Sequence, residues 1–321
     1  MTQFHHIPVL LQETLDVLDC RPGDTVLDAT IGGGGHSVEI LKRIGPDGRL
    51  IGIDRDLEAV EAARSRLAPF GDMVTVVHGN FSHLVDILAE LGIDKIDRAL
   101  FDLGVSSYQF DNATRGFSYW HSSAPLDMRM DRSTGLTARD LVNGASLEEL
   151  VSIIKNYGEE PFARRIASFI VKKREVQPIE TVGQLVDIIK EAIPARHRRS
   201  GGHPARRTFQ ALRIAVNREL EAIEVALDSA LSVLSARGVI AVISFHSLED
   251  RIVKAKFREW ANPCTCPAGV PVCTCGRTAK VDLLTRKPIV PSDREIQLNP
   301  RARSARLRAV RKVLFPAGGE Y

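Results

Sequence analysis

The chain lacks any apolar run of membrane-spanning length. Its longest, such as Gly238 to Ile243, are strand-length, far short of the roughly 20 residues a span requires. The N-terminus, from Met1 through His5, His6 and Glu13, has no cationic stretch followed by an apolar core, so no signal peptide is expected. No internal repeat and no low-complexity segment interrupts the main body. Cysteine is scarce: of five, four fall within twelve residues and Cys20 stands alone. That excludes a small disulfide scaffold, and in a reducing compartment the cluster reads as metal-binding or as plain thiols. A soluble, cytoplasmic protein is expected. What is present is ordinary for a globular chain: 44% hydrophobic and 26% charged residues over 321 positions. Such a composition excludes a disordered or collagen-like chain. The length suits two domains, or one domain with a large insert.

Excess charge is also nearly absent, with 43 basic against 40 acidic residues and a net of +3. The average hides a segregation. Arg196 to Arg207 holds five arginines and no acid, and Arg301 to Lys312 holds six basic residues and no acid. Removing these eleven leaves 32 basic against 40 acidic residues, a net of −8 for the remainder. An acidic body with two concentrated basic stretches points to an anionic partner, nucleic acid first.

The first hundred residues alternate strand and helix. Thr25 to Thr30, Arg49 to Asp54, Met73 to Val77 and Asp97 to Leu103 read as strands, and His36 to Ile44 and Leu57 to Leu67 as helices. That alternation predicts a parallel sheet covered on both faces. From about Gly135 to His203 strand signals vanish. Ser146-Leu-Glu-Glu149 and Thr181-Val-Gly-Gln184 are capping boxes, and Phe162, Ile166, Phe169 and Ile170 mark one apolar helix face. A second stripe, Leu220, Ile223, Leu227, Leu231 and Leu234, precedes another buried strand at Gly238 to Ser244. The expected architecture is an α/β domain of residues 1–134 and 206–321 with an all-α insert at 135–205. The basic tail from Arg301 is expected to be an edge element or flexible.

Several segments could carry chemistry. Between the first strand and helix lies Asp28-Ala-Thr-Ile-Gly32-Gly33-Gly34-Gly35-His36-Ser37, whose glycines let backbone approach a ligand near unpaired helix amides. Asp54 ends the second strand, where a carboxylate can accept both ribose hydroxyls of an adenosine-type ligand. Gly79-Asn80-Phe81 and Asp102-Leu-Gly104-Val-Ser106-Ser107 follow the third and fourth strands, so all converge on the carboxyl ends of a parallel sheet. A polar stretch then runs through Gln109, Asp111, Arg115, Phe117, Trp120 and Asp127 to Asp131 without helical or strand period. Its aromatics and arginines suit stacking on an unpaired base, and an ordered structural loop fits it equally. Ser244-Phe-His246-Ser247-Leu-Glu249-Asp250 follows the resumed strand. No G-x-S-x-G elbow surrounds its serines, so His246 reads as a crevice-lining or simply hydrogen-bonded histidine. Cys264-x-Cys266 and Cys273-x-Cys275 could close a tetrahedral zinc site, although the one-residue gaps depart from the commoner two. The pair Pro263-Cys264 lies too far from the crevice in sequence to serve as the nucleophile of a cytosine-C5 methylating enzyme.

Several of these segments resemble the bacterial ribosomal RNA small subunit methyltransferase H family. The matching runs include His6-Ile-Pro8-Val-Leu-Leu-Gln-Glu13, Gly33-Gly34-Gly35-His36-Ser37, Gly52-Ile-Asp54-Arg55-Asp56 and Asp102-Leu-Gly-Val-Ser-Ser107. Pro125-Leu-Asp-Met-Arg-Met-Asp131, Tyr157-Gly-Glu-Glu160, Arg207-Thr-Phe-Gln-Ala-Leu-Arg213 and Ser244-Phe-His-Ser-Leu-Glu-Asp-Arg251 extend the likeness across nearly the whole chain. The resemblance implies a class I, Rossmann-like methyltransferase sheet with a helical substrate-recognition insert. It implies S-adenosyl-L-methionine as cofactor and N4-methylation of a cytosine, position 1402, in the decoding region of 16S rRNA. It carries cofactor contacts onto Gly34, Gly35, His36, Asp54, Phe81, Asp102 and Gln109, and leaves the cysteines without a role.

The expected partner is 16S rRNA, within the small ribosomal subunit, rather than DNA or a membrane; a homodimer is compatible with the sequence. Arg115, Trp120, Arg198, Arg199, Arg206, Arg207 and His246 are the candidate substrate contacts. Asp102 is the candidate base, because the amine of cytosine, its lone pair delocalised into the ring, needs an acceptor beside it. Two competing readings are a nicotinamide-dependent oxidoreductase, disfavoured because Ser37 replaces the third glycine of G-x-G-x-x-G, and a non-catalytic RNA-binding factor.

Overall fold

The structure is a computed structural model that describes residues 8–198, 202–266 and 274–314. It divides into two compact units, Met1–Gly104 with Leu220–Tyr321, and Val105–Glu219.

The first unit is built on a seven-stranded sheet. Its strands are β1 (Thr25–Asp28), β2 (Arg49–Asp54), β3 (Val74–His78), β4 (Ile96–Asp102), β5 (Leu234–Ser244), β6 (Val281–Leu283) and β7 (Arg306–Lys312). Spatial order is β3-β2-β1-β4-β5-β7-β6. β1 to β5 pair parallel, and β7 then runs antiparallel to both β5 and β6. The strands are apolar on both faces, as a sheet covered by helices on each side requires. Along β5, Ile240 and Val242 join the core under the Leu84–Glu90, Glu219–Val233 and Ser247–Ala261 helices. The alternate residues Val239, Ala241 and Ile243 join the core under Leu11–Leu18, Gly35–Ile44 and Leu57–Leu67. The chain reverses its direction of growth between β1 and β4, which makes their carboxyl ends the switch point where such sheets bind ligands.

The basic C-terminal stretch is neither an edge nor loose. β7 lies inside the sheet, with β6 outside it. Two of its charges meet one acid: Arg308 is buried and donates to Asp250 at 2.7 Å, and Arg306 reaches the same carboxylate at 2.9 Å, while Arg301 and Arg303 stay exposed. Burial works against Asp250, yet the two guanidiniums hold its carboxyl below the usual range.

The second unit is helical. The Ala138–Gly144, Leu147–Gly158, Ala163–Arg174, Val182–Ala192 and Arg206–Asn217 helices enclose one core. Both expected capping boxes are formed, and Thr137 with Asp140 makes another. Among the described residues the unit holds no strand, only an isolated bridge between Pro125 and Thr181. It is wider than the expected 135–205 insert, for a packing reason. The polar stretch contributes Phe117, Ala124, Leu126, Met128 and Met130 to this core, and Phe209 and Leu212 close it from the last helix. Asn217 ties the two together, accepting from Met130 N–H at 2.8 Å and donating to the Met128 carbonyl at 2.7 Å.

Candidate functional site

At the carboxyl end of β1 the chain turns through the glycine loop into the Gly35–Ile44 helix. Gly34 holds φ +74°, the left-handed region that glycine enters at no steric cost. A Cβ on Gly35 would lie 2.6 Å from Cγ of Pro8. No side chain caps this helix and its first turn carries no acid, and a helix N-terminus of that kind favours a negatively polarised ligand group. Asp54, ending β2, fastens the loop: Gly32 N–H and Asp56 N–H each donate to its carboxylate at 2.9 Å. Two backbone bonds leave further lone pairs on that carboxylate for hydroxyl donors. Phe81, after β3, packs edge-on to Phe101 with ring centroids 6.0 Å apart, forming a wall rather than a free ring.

Five acids gather here, Asp28, Asp54, Asp56, Asp102 and Glu249. Asp28 is buried and accepts from the Ser37 hydroxyl at 2.6 Å. Burial, with the nearby Asp54 carboxylate, pushes Asp28 up to about 6. Asp54 is also pushed up to about 6, by burial and by Asp56, against the pull of its two backbone donors. Asp102, ending β4, rises well above the usual carboxylate range, first through burial and then through the charges of Asp28 and Glu249. One of its oxygens, Oδ1, is buried with no hydrogen-bond partner, while 27% of the side chain still meets solvent. A buried acceptor without a donor is costly, and here it faces the switch point. His36 is held beside it. Nε2 of His36 lies 3.1 Å from the Val9 carbonyl, which can only accept, so Nε2 carries a proton and Nδ1 faces Asp102 at 3.7 Å. An adenosine cofactor with a cationic sulfur fits this donor set: amides and a fixed carboxylate for the nucleoside, excess negative charge for the cation.

His246 lies at the carboxyl end of β5, but as a helix cap. Its ring accepts from the N–H of Glu249, and the Glu249 carboxylate accepts from Phe245 N–H at 2.7 Å and His246 N–H at 3.2 Å. Glu249 is wholly buried and is one of the charges that raise Asp102. Sequence reasoning passed over Glu249 and Asp28 as site residues. His-x-x-Glu is a capping box with histidine in place of the usual serine or threonine, and that spacing was the available signal.

The remaining candidates belong to the helical unit. Gln109 is buried in the Ser107–Asp111 helix, where its Oε1 accepts from Ser106 N–H at 3.0 Å and its own N–H donates to Ser106 Oγ. Arg115 departs from the expectation of a substrate contact. It is fully buried, donates to the Arg129 and Met130 carbonyls at 3.0 and 2.9 Å, and so pins the polar stretch. Trp120 is 68% exposed. It joins an aromatic group in which Tyr119 stacks on His203 at 4.5 Å and Trp120 lies 4.9 Å from His203. Arg198, Arg206 and Arg207 are exposed, the last two in the first turn of the Arg206–Asn217 helix, which carries no acid there. Cations at a helix N-terminus oppose its dipole, and an anionic partner relieves that opposition. Arg199 lies outside the described residues, as does Cys273; Cys264, Cys266 and Cys275 lie together. A separate cleft of about 370 Å³, lined by Asp228, Leu231, Trp260 and Lys312, sits by the amino end of β5, away from the strand carboxyl ends. No helix among the described residues is long and apolar enough to cross a membrane.

Residues 3–313 match the model of the MraW methylase family. A protein of Symbiobacterium thermophilum named ribosomal RNA small subunit methyltransferase H is 60% identical over 310 residues, covering 97% of each chain. One of the same name from Heliobacterium modesticaldum is 57% identical over 311 residues, covering 97% of this chain and 99% of its own. A solved rRNA methylase from Streptococcus thermophilus aligns at 11% identity and a TM-score of 0.41, over 95% of this chain and 94% of that one.

Proposed function

The chain belongs to the MraW methylase family, and from that premise we propose that it methylates N4 of cytosine 1402 of 16S rRNA in the small ribosomal subunit, using S-adenosyl-L-methionine. The observation that carries this reading is the group formed by the glycine loop, Asp54 and Asp102 at the carboxyl ends of β1, β2 and β4. The cofactor supplies a methyl group made electrophilic by a positively charged sulfur. The loop amides and the Asp54 carboxylate hold its nucleoside part, and Phe81 walls that side. Asp102 accepts the proton that the cytosine amine must lose, a task suited to a carboxyl whose basicity burial has raised. His36 positions that carboxyl, and Gln109 and His246 act by fixing backbone turns.

We assign RNA contact to the Val105–Glu219 unit, through Trp120, Arg198, Arg206 and Arg207. An exposed ring suits stacking on an unpaired base, and exposed guanidiniums suit phosphates. An rRNA substrate makes the cytoplasm the place of work.

Asp102→Asn keeps the shape and removes the base. The expected result is loss of methyl transfer to small subunits with cofactor affinity, measured calorimetrically, retained within a few-fold. Equal loss of both would reduce Asp102 to a binding residue, and tighter binding of NAD than of S-adenosyl-L-methionine by the parent protein would end the methyltransferase reading.

A further inference from the structure

The chain leaves the Ser247–Ala261 helix, makes an excursion over residues 262–280, and returns as β6 at Val281. Its two ends are tied, Lys280 N–H donating to the Trp260 carbonyl at 2.8 Å. Nothing apolar holds the described part of the excursion: no described residue of 262–266 or 274–280 is buried. A segment whose described residues carry neither regular secondary structure nor core needs another source of order. Three thiols nonetheless converge there. The sulfurs of Cys264, Cys266 and Cys275 all lie within 4.8 Å of one another, and none is in a disulfide.

We propose that Cys264, Cys266 and Cys275 bind one zinc ion, which staples the 262–280 excursion to the end of the Ser247–Ala261 helix. Sulfurs at about 2.3 Å from a tetrahedral zinc stand about 3.8 Å apart, so the observed grouping needs only a small contraction. The excursion contains no aspartate, glutamate or histidine, so sulfur is the only strong side-chain donor it offers. A sulfur-only set selects zinc, copper(I) or an iron–sulfur cluster over magnesium or calcium. Each thiol releases its proton on ligation, and the negative charge that results falls on a segment whose only ionic residues are Arg277 and Lys280. The Thr274 hydroxyl, 3.9 Å from the Cys266 sulfur, is placed to donate to a bound thiolate. None of these three ligands comes from the strand carboxyl ends, and a fourth ligand completes the tetrahedron. Cys20, whose thiol burial pushes up to about 12, serves as the internal control.

The full chain, purified under reducing conditions, is analysed for metals by plasma mass spectrometry. The expected content is about one zinc per chain, released by a thiol-specific mercurial and retained in Cys20→Ser. The Cys264→Ser/Cys275→Ser variant is expected to lose it while keeping the circular dichroism of the parent. Should that variant misfold, the parent answers alone: cobalt exchange gives a thiolate-to-metal charge-transfer band, and chelation speeds tryptic cleavage at Arg277 and Lys280 at least severalfold. Zinc no higher in the parent than in the double variant overturns the proposal. So does iron or copper in its place, or chelation that leaves cleavage unchanged.

Discussion

On the proposed cofactor site, protonation of Asp54 is expected to oppose binding, because only the ionised carboxylate can accept from two ribose hydroxyls while holding the Gly32 and Asp56 amides. Its carboxyl sits at about 6 against an ordinary 3.8. The proton is therefore held more tightly than usual, and affinity is full above about 6 and falls as pH drops through that value. At about pH 5 some nine-tenths of a group titrating near 6 is protonated, against about 3% at pH 7.5. If binding restores the ordinary value, affinity falls about tenfold between those pH values, or about 1.4 kcal/mol. Isothermal titration with S-adenosyl-L-methionine at both pH values measures it, and Asp54→Asn isolates it. Asp28 also titrates near 6, in part because of the Asp54 charge, so Asp54→Asn lowers Asp28 as well and the difference between parent and variant reports the coupled pair. The variant is expected to bind more weakly at pH 7.5 and to lose most of the pH dependence. The same tenfold fall in Asp54→Asn, or a parent with none, would refute the reasoning.

Other perturbations follow from the same geometry. Gly34→Ala forces a side chain into the left-handed region with its Cβ 3.3 Å from Leu67 Cγ; urea unfolding should register a loss of about 1–2 kcal/mol, with weaker cofactor binding. Asp250→Ala strands the buried Arg308 and should cost about 3–5 kcal/mol, whereas a change under 1 kcal/mol would show that β7 does not depend on this pair. Arg206→Ala/Arg207→Ala should weaken binding to 16S rRNA, lower the salt slope by about 1.5 and leave cofactor affinity unchanged in calorimetry. Trp120→Ala should cost about 1–3 kcal/mol in RNA affinity, and unchanged affinity would place the RNA elsewhere.

Much of the sheet was legible because its elements depend on local pattern. The Arg49–Asp54 strand and Leu57–Leu67 helix appear with the expected bounds, set by a buried β-branched run, by Asp56 as a cap and by helical apolar spacing. The glycine loop and Asp54 could be paired because their separation in a strand–turn–helix unit is nearly fixed. Other features depend on partners distant in the chain. Arg308 reads as a surface cation until Asp250, 58 residues earlier, meets it in the interior. Residues 117–130 have no period, yet Phe117, Leu126, Met128 and Met130 are buried by helices that come later in sequence. Arg115 reads as a substrate contact because charge is usually exposed; its burial is decided by carbonyls fourteen and fifteen residues on. The extent of the helical unit could not be read from helix signals alone, since its core recruits a segment that carries none.

The central claim is that the glycine loop, Asp54 and Asp102 serve methyl transfer to a cytosine amine. Incubating the protein with methyl-labelled S-adenosyl-L-methionine and unmethylated small subunits, then mapping the labelled nucleotide in 16S rRNA, tests it most directly. The account predicts one methyl group on N4 of cytosine 1402, absent with Asp102→Asn. Label on carbon 5, on another nucleotide, or on nothing would contradict it.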